Sequence, residues 1–259
     1  MGQRINDIKV IFQAADPEGL PELIKAYGQD ERSGVQALVK RGKQRLEAWE
    51  KEKARIRKMW EYEEKYGEYA WICGVDEVGR GPLAGPVVAG AVILPKDCGM
   101  LYLNDSKQLS EKKREELYKR IMEQAVATGL GYVGPERIDE INILQATYEA
   151  MRQAIAALKV KPDLLLNDAV TIPQVDIRQV PIVKGDAKSI SIAAASIIAK
   201  VTRDRLMVQY DEAFPEYGFA SNKGYGAQKH LEALRVYGPT PIHRRSFLRK
   251  MEGVYGDFS

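Results

Sequence analysis

The stretch WICGVDEVGRGPLAGPVVAGAVIL, residues 71–94, indicates the fold class of this chain. It contains two β-prone apolar runs, WICGVDEV (71–78) and PVVAGAVIL (86–94), with a glycine- and proline-rich segment between them. A third run, GLGYVG, follows at 129–134. Short apolar runs bounded by glycine and proline are typical of buried strands. We therefore predict that these three runs form the first strands of a sheet.

Helical patterns alternate with further strand-like runs after residue 94. Ser110 is a good N-cap for one helix. Apolar residues at gaps of three and four predict another helix that starts near Ile138 and is closed by Pro162. The remaining predicted elements are strands at 164–166 and 180–183 and helices at 189–210 and 227–238. This alternation predicts an α/β fold, in which helices cover a central sheet.

The first part of the chain, residues 1–68, has helical patterns and no convincing strand. We place the boundary near Gly67 to Tyr69, which gives a helical extension (1–68) and a second domain (69–259). The stretch from Ser33 to Tyr66 contains no proline and is predicted as one long helix.

Residues 40–58 of that helix hold nine basic and three acidic residues, a local charge of 9 − 3 = +6. This basic surface is a candidate for phosphate contacts. The alternative is a helix that docks onto a protein partner. Its apolar stripe would consist of Leu38, Leu46, Trp49, Ile56 and Trp60.

Length and composition restrict the other possibilities. The 259 residues carry a net charge of only +3 and are 45% hydrophobic, as in a soluble globular protein without a global electrostatic field. Cys73 and Cys98 lack CxxC spacing, which argues against a disulfide framework. The N-terminus has no apolar signal core, and no run approaches the ~18 apolar residues of a membrane span. We expect a cytoplasmic protein that does not associate with membranes.

Carboxylates follow three of the predicted strands. Asp76 and Glu77 end the first apolar run, Asp168 comes two residues after Leu166, and Asp186 comes three after Val183. Carboxylates that converge repel one another unless a multivalent cation lies between them, and such oxygen ligands suit Mg²⁺ or Mn²⁺. The alternative is that these residues are ordinary turn and cap residues after strands. The pattern alone leaves both open.

The segment GRGPLAGP, residues 79–86, places Arg80 between Gly79 and Gly81. Glycines let a backbone approach a sugar or phosphate closely, and an arginine can donate two hydrogen bonds to phosphate. The spacing does not match the dinucleotide-binding fingerprint, and the chain has no G-K-[ST] phosphate loop. The only two histidines, His230 and His243, do not form a zinc-type cluster in sequence.

Five segments together resemble the ribonuclease HII family, in order over about residues 71–250. They are GVDEVGRGPLAGPVVAGAVIL (74–94), NDSKQLSEKKR (104–114), KGDAKSISIAAASIIAKVTRDR (184–205), GFASNKGYG (218–226) and HRRSF (243–247). The resemblance implies an RNase H-like fold, a mixed central sheet flanked by helices, with a C-terminal helical portion over the substrate cleft. It also implies a ribonuclease H that hydrolyses the RNA strand of RNA–DNA hybrids and nicks DNA on the 5′ side of embedded ribonucleotides, acting as a monomer.

The resemblance assigns roles to individual residues. It implies that Mg²⁺ or Mn²⁺ is bound by four carboxylates, those of Asp76, Glu77, Asp168 and Asp186. It implies that Gly79, Arg80 and Gly81 sense a ribose 2′-OH and that Tyr225 stacks on the following sugar. Residues in the matching segments that would contact phosphate or support the acids are Lys107, Lys184, Lys188, Ser191, Lys200 and Arg203.

Several positions leave alternatives open. Lys200 and Arg203 fall on a predicted helix, where an ion pair with Asp204 is an equal possibility. For three basic residues near the C-terminus a solvated helix face competes with a nucleic-acid contact: Arg244, Arg245 and Arg249.

This chain also departs from the family pattern. It has Asn222 where many relatives have histidine, so we assume no proton relay through that position. It has NDAV (167–170) instead of the commoner D-G form after the LLL strand, and compact members lack the first 68 residues. The competing functions are a noncatalytic RNA–DNA hybrid binding module on the same fold and a Holliday junction nuclease, which the G-R-G and K-G-Y segments disfavour.

Overall fold

The computed structural model describes residues 3–249. It divides into two compact units, one that ends at Lys58 and one that begins at Met59, and each is described by itself. The predicted domain boundary lies some residues later, near 67–69. The segment between these positions belongs to the second compact unit.

The first unit is helical. Its helices are α1 (Ile5–Ala14), α2 (Leu20–Tyr27) and most of α3 (Ser33–Met59). Its buried core consists of Ile8, Phe12, Leu20, Val35, Leu38 and Val39. Gly42 lets α3 pass close to Phe12, since a Cβ there would lie 2.9 Å from the ring atom Cε1. Packing of apolar faces therefore holds this short unit together.

The second unit is built around a five-stranded sheet with the order β3-β2-β1-β4-β5. Strands β1 and β2 pair antiparallel, as do β2 and β3, whereas β4 pairs parallel with both β1 and β5. The sheet is therefore mixed, as the sequence predicted. The strands are β1 (Ile72–Val78), β2 (Val87–Ile93), β3 (Ala127–Val133), β4 (Leu164–Asp168) and β5 (Arg178–Ile182).

Helices cover the sheet, and within residues 3–249 three of them follow α7 (Ile190–Ala213) toward the C-terminus. They are α4 (Glu61–Lys65), α5 (Glu111–Gln124), α6 (Pro135–Ala156), α7 (Ile190–Ala213), α8 (Phe219–Asn222), α9 (Gln228–Tyr237) and α10 (Arg245–Leu248). Glycines in the strands let two of these helices lie close to the sheet. A Cβ on Gly74 of β1 would lie 2.0 Å from the carbonyl carbon of Ser191 on α7, and one on Gly131 of β3 would lie 2.0 Å from the carbonyl oxygen of Ala150 on α6. Because side chains alternate along a strand, Asp76 points to the same face as Gly74, the face that α7 covers.

The structure differs from the predicted elements in three places. Helix α6 contains a break at Asn142, where φ is +67° and Oδ1 accepts hydrogen bonds from the backbone N–H groups of Leu144 and Gln145. The Asn142 side chain caps the following turn, and the apolar periodicity did not indicate this break. The long helix predicted from Ser33 ends at Met59, and α4 follows. The helix predicted at 227–238 is not the last, because α10 follows it.

Two predictions from composition can be compared with the structure. Within residues 3–249, no helix is both long and apolar enough to cross a membrane. Cys73 and Cys98 are both buried free thiols.

Candidate active site

The first pair of candidate carboxylates lies at the end of the central strand. Asp76 and Glu77 are consecutive on β1, so their side chains leave opposite faces of the sheet. Asp76 is only 6% exposed, and Glu77 pairs with Arg80 at 3.3 Å. Parallel pairing of Val75 with Asn167 brings Asp168, the last residue of β4, beside Asp76. Two neighbouring parallel strands thus deliver carboxylates to one edge of the sheet.

The fourth carboxylate, Asp186, lies in a short turn that is hydrogen-bonded to the third, Asp168. Asp186 lies in a 3₁₀ turn after β5, entered through Lys184 in the left-handed region at φ +57°. The backbone N–H of Gly185 donates to Oδ1 of Asp168 at 2.7 Å. This hydrogen bond fixes the Asp186 turn against the end of β4.

Electrostatics indicate that these groups need a counter-charge. Burial raises the pKa of Asp76 well above its usual range, and the charges of Glu77 and Asp168 raise it further, against a hydrogen bond with Ser196. Burial also raises the pKa of Glu77, which the nearby Arg80 opposes. The pKa of Asp186 is raised by burial and by the charges of Asp105 and Asp168, against the lowering effect of Lys107. Mutual repulsion among partly buried carboxylates is the condition that a bound divalent cation relieves.

The residues fit a site for a hard divalent cation. All four candidate ligands supply carboxylate oxygens, the donor type that Mg²⁺ and Mn²⁺ take. Within the described part of the chain, no three His, Cys, Asp or Glu side chains are grouped closely enough to hold a metal ion by themselves. An open arrangement is usual for Mg²⁺, which keeps water and completes its coordination with substrate phosphate. The donor set therefore suits a cation shared with a ligand.

A glycine-rich loop, residues 79–85, follows β1 directly. Gly79 has φ +91°, and a Cβ there would lie 2.3 Å from Nε of Arg203. Gly81 is exposed, and a Cβ there would meet only Cε1 of Tyr225, at 3.5 Å. Tyr225 itself is 49% exposed. The structure therefore places Arg80, Gly81 and Tyr225 on an accessible surface beside Glu77, whereas the predicted Gly79 is buried against Arg203.

Two buried arginines hold this loop in place. Arg203 donates to the carbonyl oxygens of Pro86 (2.9 Å), Ala84 (3.1 Å) and Lys223 (2.9 Å). Arg244 donates to the carbonyl oxygens of Gly79, Arg80 and Gly85. Both guanidinium groups direct these hydrogen bonds to main-chain carbonyl oxygens. The sequence suggested an ion pair with Asp204 for Arg203, and a solvated helix face or a nucleic-acid contact for Arg244. In the structure, both side chains instead bond to main-chain carbonyl oxygens.

The other predicted residues are placed in different surroundings. Lys107 is exposed, and its charge acts on Asp186. Lys200 pairs with Asp204 at 2.7 Å, as the alternative from sequence proposed. Ser191 is only 2% exposed, and its backbone N–H donates to Oε1 of Glu63. This geometry favours a packing role for Ser191 over the predicted substrate contact.

Some residues near the site were not indicated by the sequence. The hydroxyl of Ser196 on α7 lowers the pKa of Asp76 and lies 2.9 Å from the hydroxyl of Ser106. Asp105 caps the turn at Ser106–Gln108 and adds negative charge beside Asp186. His230 and His243 lie 2.8 Å apart through their Nε2 atoms. Asp105 and Ser106 belong to the segment 104–114, which resembles the family, but the sequence does not indicate their contacts.

Comparisons with known proteins agree along almost the whole chain. The family model described as Ribonuclease HII matches residues 73–250, and that of the Ribonuclease HII N-terminal domain matches residues 4–67. Ribonuclease HII of Lachnoclostridium phytofermentans is 61% identical over 97% of this chain and 99% of its own length. Ribonuclease HII of Clostridioides difficile is 53% identical over 95% of this chain and 98% of its own length.

Solved structures support the same grouping through the fold. Ribonuclease H2 from Pyrococcus horikoshii superposes with a TM-score of 0.60 at 31% identity, over 71% of this chain and 98% of that one. The mixed sheet with flanking helices is thus an RNase H-like fold, as predicted. Because the family model spans more than half of the chain and the identities extend over nearly all of it, the chain belongs to the ribonuclease HII family and is a ribonuclease H, a nuclease.

Proposed function

We propose that this chain hydrolyses the RNA strand of RNA–DNA hybrids and nicks DNA on the 5′ side of an embedded ribonucleotide. The products would carry a 3′-OH and a 5′-phosphate. The single observation that supports the proposal is that β1, β4 and the turn after β5 bring Asp76, Glu77, Asp168 and Asp186 near one another, with the glycine-rich loop directly after β1.

The carboxylates supply the binding site for Mg²⁺ or Mn²⁺. Two such ions, when bound, would activate a water molecule and stabilise charge on the scissile phosphate and the leaving oxygen. Asp168 is oriented by the N–H of Gly185, and the hydroxyl of Ser196 lies near enough to Asp76 to lower its pKa. These contacts hold the acids in place before a substrate arrives, so little reorganisation is needed at the reaction.

The loop beside the acids would recognise the ribonucleotide. A sugar can approach the backbone at Gly81 closely because no Cβ covers it, and the 2′-OH is the group that distinguishes RNA from DNA. The Tyr225 ring lies next to Gly81 and offers an exposed apolar face for the following sugar. The exposed guanidinium of Arg80 and the ammonium of Lys107 are available for phosphate contacts.

Substrate cleavage tests this proposal. The substrates are a DNA duplex with one ribonucleotide, an all-DNA duplex and a long RNA–DNA hybrid, each with Mg²⁺, Mn²⁺ or EDTA. A metal-dependent cut 5′ of the ribonucleotide, with none in all-DNA, is expected. Asp186→Asn should remove nearly all turnover, and the matched control Asp176→Asn, an exposed residue between β4 and β5, should not. Full activity of Asp186→Asn would overturn the assignment of the site.

A noncatalytic hybrid-binding module is the alternative function. It predicts binding of the hybrid without cutting at any metal concentration. The four carboxylates in place speak against it, because uncompensated acids repel the phosphates that such a module would bind.

We also propose that the first unit contributes a basic grip on the duplex through α3. Four of its nine basic residues between 40 and 58 have contacts within the chain: Arg45 bonds to the carbonyl oxygens of Phe12 and Ala15, Lys51 to Glu47, Arg55 to Glu52, and Lys53 lies over the Trp49 ring. The others are exposed: Lys40, Arg41, Lys43, Arg57 and Lys58. Leu38 and Ile56 of the rival apolar stripe are buried, which weakens the partner-docking alternative.

Salt dependence of binding distinguishes these two roles. The variant Lys40→Gln/Lys43→Gln should bind hybrid more weakly and lower the slope of log K against log salt by about 0.9 per lost phosphate contact. Lys51→Gln is the control, since its ammonium pairs with Glu47. An unchanged slope in the double variant would reject the grip.

A further inference from the structure

The two histidines of the chain form a buried pair that joins three segments of the proposed recognition surface. His230 on α9 and His243 after it are 0% and 2% exposed, and their Nε2 atoms lie 2.8 Å apart. Nδ1 of His230 lies 2.8 Å from the carbonyl oxygen of Tyr225. On the other side, the backbone of His243 bridges to Ala84 in the glycine-rich loop.

The donor and acceptor roles of the four ring nitrogens can be derived from the backbone N–H of Thr240. The backbone N–H of Thr240 can only donate, and it lies 2.9 Å from Nδ1 of His243. This nitrogen must therefore be the acceptor, and the proton of the neutral His243 ring is on Nε2. That Nε2–H donates to Nε2 of His230, which leaves the proton of His230 on Nδ1.

The chain then ends on Tyr225. Because a carbonyl oxygen can only accept, Nδ1–H of His230 must donate to it, in agreement with the direction derived from Thr240. Nδ1 of His243 has two partners, the backbone N–H of Thr240 and, at 2.8 Å, the hydroxyl of Thr240, and each of the other three ring nitrogens has one. A proton added to Nε2 of His230 would place two N–H groups against each other. The order Thr240, His243, His230, Tyr225 is therefore the only arrangement that satisfies all four groups.

The Tyr225 loop has a second connection to the glycine-rich loop. The carbonyl oxygen of Gly224 accepts from the backbone N–H groups of Leu83 and Ala84, and a Cβ on Gly224 would lie 2.4 Å from the carbonyl oxygen of Ala84. Asn222, at the position where relatives have histidine, accepts through Oδ1 from the N–H of Gly224. The position of the Tyr225 ring relative to Gly81 thus depends on the main chain at 224 and 225, and His230 holds the second of these.

We propose that His243 and His230 are positioning residues, which through this one-directional hydrogen-bond chain fix Tyr225 at the distance from Gly81 that a ribose requires. The inference rests on the proposed function of Tyr225 as a sugar contact. The histidines do not touch the substrate, so they affect recognition of the ribonucleotide and not the chemistry at the carboxylates.

The tautomers can be measured without any activity. In the ¹⁵N spectrum of the imidazole rings at neutral pH, His230 should carry its proton on Nδ1 and His243 on Nε2. In His243→Asn, His230 loses the donor to its Nε2 but should keep its proton on Nδ1, because the carbonyl oxygen of Tyr225 still accepts from it. The opposite tautomers, or a charged ring at neutral pH, would overturn the chain as derived.

Two variants of His230 separate positioning from packing. Asparagine places an N–H where Nδ1 lies and can keep the bond to Tyr225, whereas glutamine reaches the position of Nε2 and keeps only the bond to His243. His230→Gln should raise KM for a duplex with one ribonucleotide about tenfold, the effect of one lost hydrogen bond, with little change in kcat. His230→Asn should stay within about threefold of the unaltered chain.

A double-mutant cycle with Tyr225→Ala tests whether His230 acts through Tyr225. In that background His230→Gln should have no further effect on KM, since the ring that it positions is gone. Equal effects of the two His230 variants, or additive effects with Tyr225→Ala, would reject the positioning role. The same comparison by equilibrium binding in EDTA needs no turnover, so absence of cleavage by the unaltered chain would count against the proposed function alone.

Discussion

The guanidinium of Arg244 donates two hydrogen bonds to the carbonyl oxygen of Gly85, from Nε at 2.9 Å and from Nη2 at 2.8 Å. Arg244 is fully buried and also bonds to the carbonyl oxygens of Gly79 and Arg80. Burial lowers its pKa to about 9, and the charge of Arg203 adds to this effect. A residue near the end of the described chain therefore sets the shape of the loop that follows the first strand.

Arg244→Lys should destabilise the fold and disturb this loop. An ammonium group has no planar fork and cannot bond to all three carbonyl oxygens at once, so buried acceptors lose their donors. We expect the free energy of unfolding to fall by about 2 to 3 kcal/mol, measured by urea denaturation. The neighbouring Arg245→Lys, at an exposed position, is the control. Equal stability of the two variants would contradict the role of Arg244.

Asp76→Asn should lose activity and gain stability in the absence of metal. The carboxylate is buried beside Glu77 and Asp168, and removal of its charge ends this repulsion, while asparagine keeps an acceptor oxygen near Ser196. We expect an increase of about 1 to 3 kcal/mol in the free energy of unfolding in EDTA. Addition of Mg²⁺ should stabilise the unaltered chain and have less effect on the variant. A less stable variant in EDTA would show that Asp76 is held by contacts that asparagine cannot replace.

Gly79→Ala and Gly81→Ala should have different consequences, although the two glycines are only two residues apart. Gly79 has φ +91°, and a Cβ there would lie 2.3 Å from Nε of Arg203. Alanine at this position would therefore be strained and overpacked, which should lower the free energy of unfolding by about 2 kcal/mol or more. A Cβ on Gly81 meets only Tyr225 at 3.5 Å, which is ordinary contact. Gly81→Ala should therefore leave the melting temperature unchanged and weaken binding of a duplex with one ribonucleotide. Loss of stability in both variants would remove the distinction.

The sequence was sufficient to predict the elements that carry the candidate acids. Apolar runs that end in Asp76, Glu77 and Asp168 gave the strands correctly because burial on both faces leaves a continuous apolar run. The break of α6 at Asn142 was missed because its cause is a single side chain that caps the next turn. Local periodicity does not contain that information.

The contacts of polar residues distant in sequence could not be predicted in the same way. Arg244 was equally compatible with solvent or nucleic acid, because sequence does not say which carbonyl oxygens a buried guanidinium will meet. The sequence predicts Glu63 within the long helix from Ser33 to Tyr66, yet it is 6% exposed and bonds to Ser189 and Ser191, more than a hundred residues away. Burial of charge is decided by tertiary packing, and only the fold reveals it.

Glu63 should cap the start of α7 through its acceptor oxygen Oε1. Its Oε1 accepts from the hydroxyl of Ser189 at 2.6 Å and from the backbone N–H of Ser191 at 3.0 Å, and burial raises its pKa. Glu63→Gln preserves both acceptor bonds and should change the free energy of unfolding by less than about 1 kcal/mol at neutral pH. Glu63→Leu leaves both donors unsatisfied and should cost about 2 kcal/mol or more, measured by urea denaturation. Equal losses would indicate that the charge of Glu63, and not its acceptor oxygen, stabilises the helix.

The histidine pair should make the fold sensitive to mild acid. Burial lowers the pKa of His243 to about 3, and the neighbouring His230 contributes to the shift, whereas an unfolded histidine titrates near 6.5. Between these values the unfolded chain binds a proton that the folded chain does not, so His243 contributes stability that is present above about pH 6.5 and is lost as the pH falls toward about 3. The slope should be about 1.4 kcal/mol per pH unit. The buried acids with raised pKa stabilise the fold as the pH falls, which is the opposite effect. They are present in both the unaltered chain and His243→Asn, so their effect cancels when the two are compared. Urea denaturation between pH 7 and pH 5 should give a shallower loss of stability in the variant, and parallel curves would mean that His243 titrates normally in the folded chain.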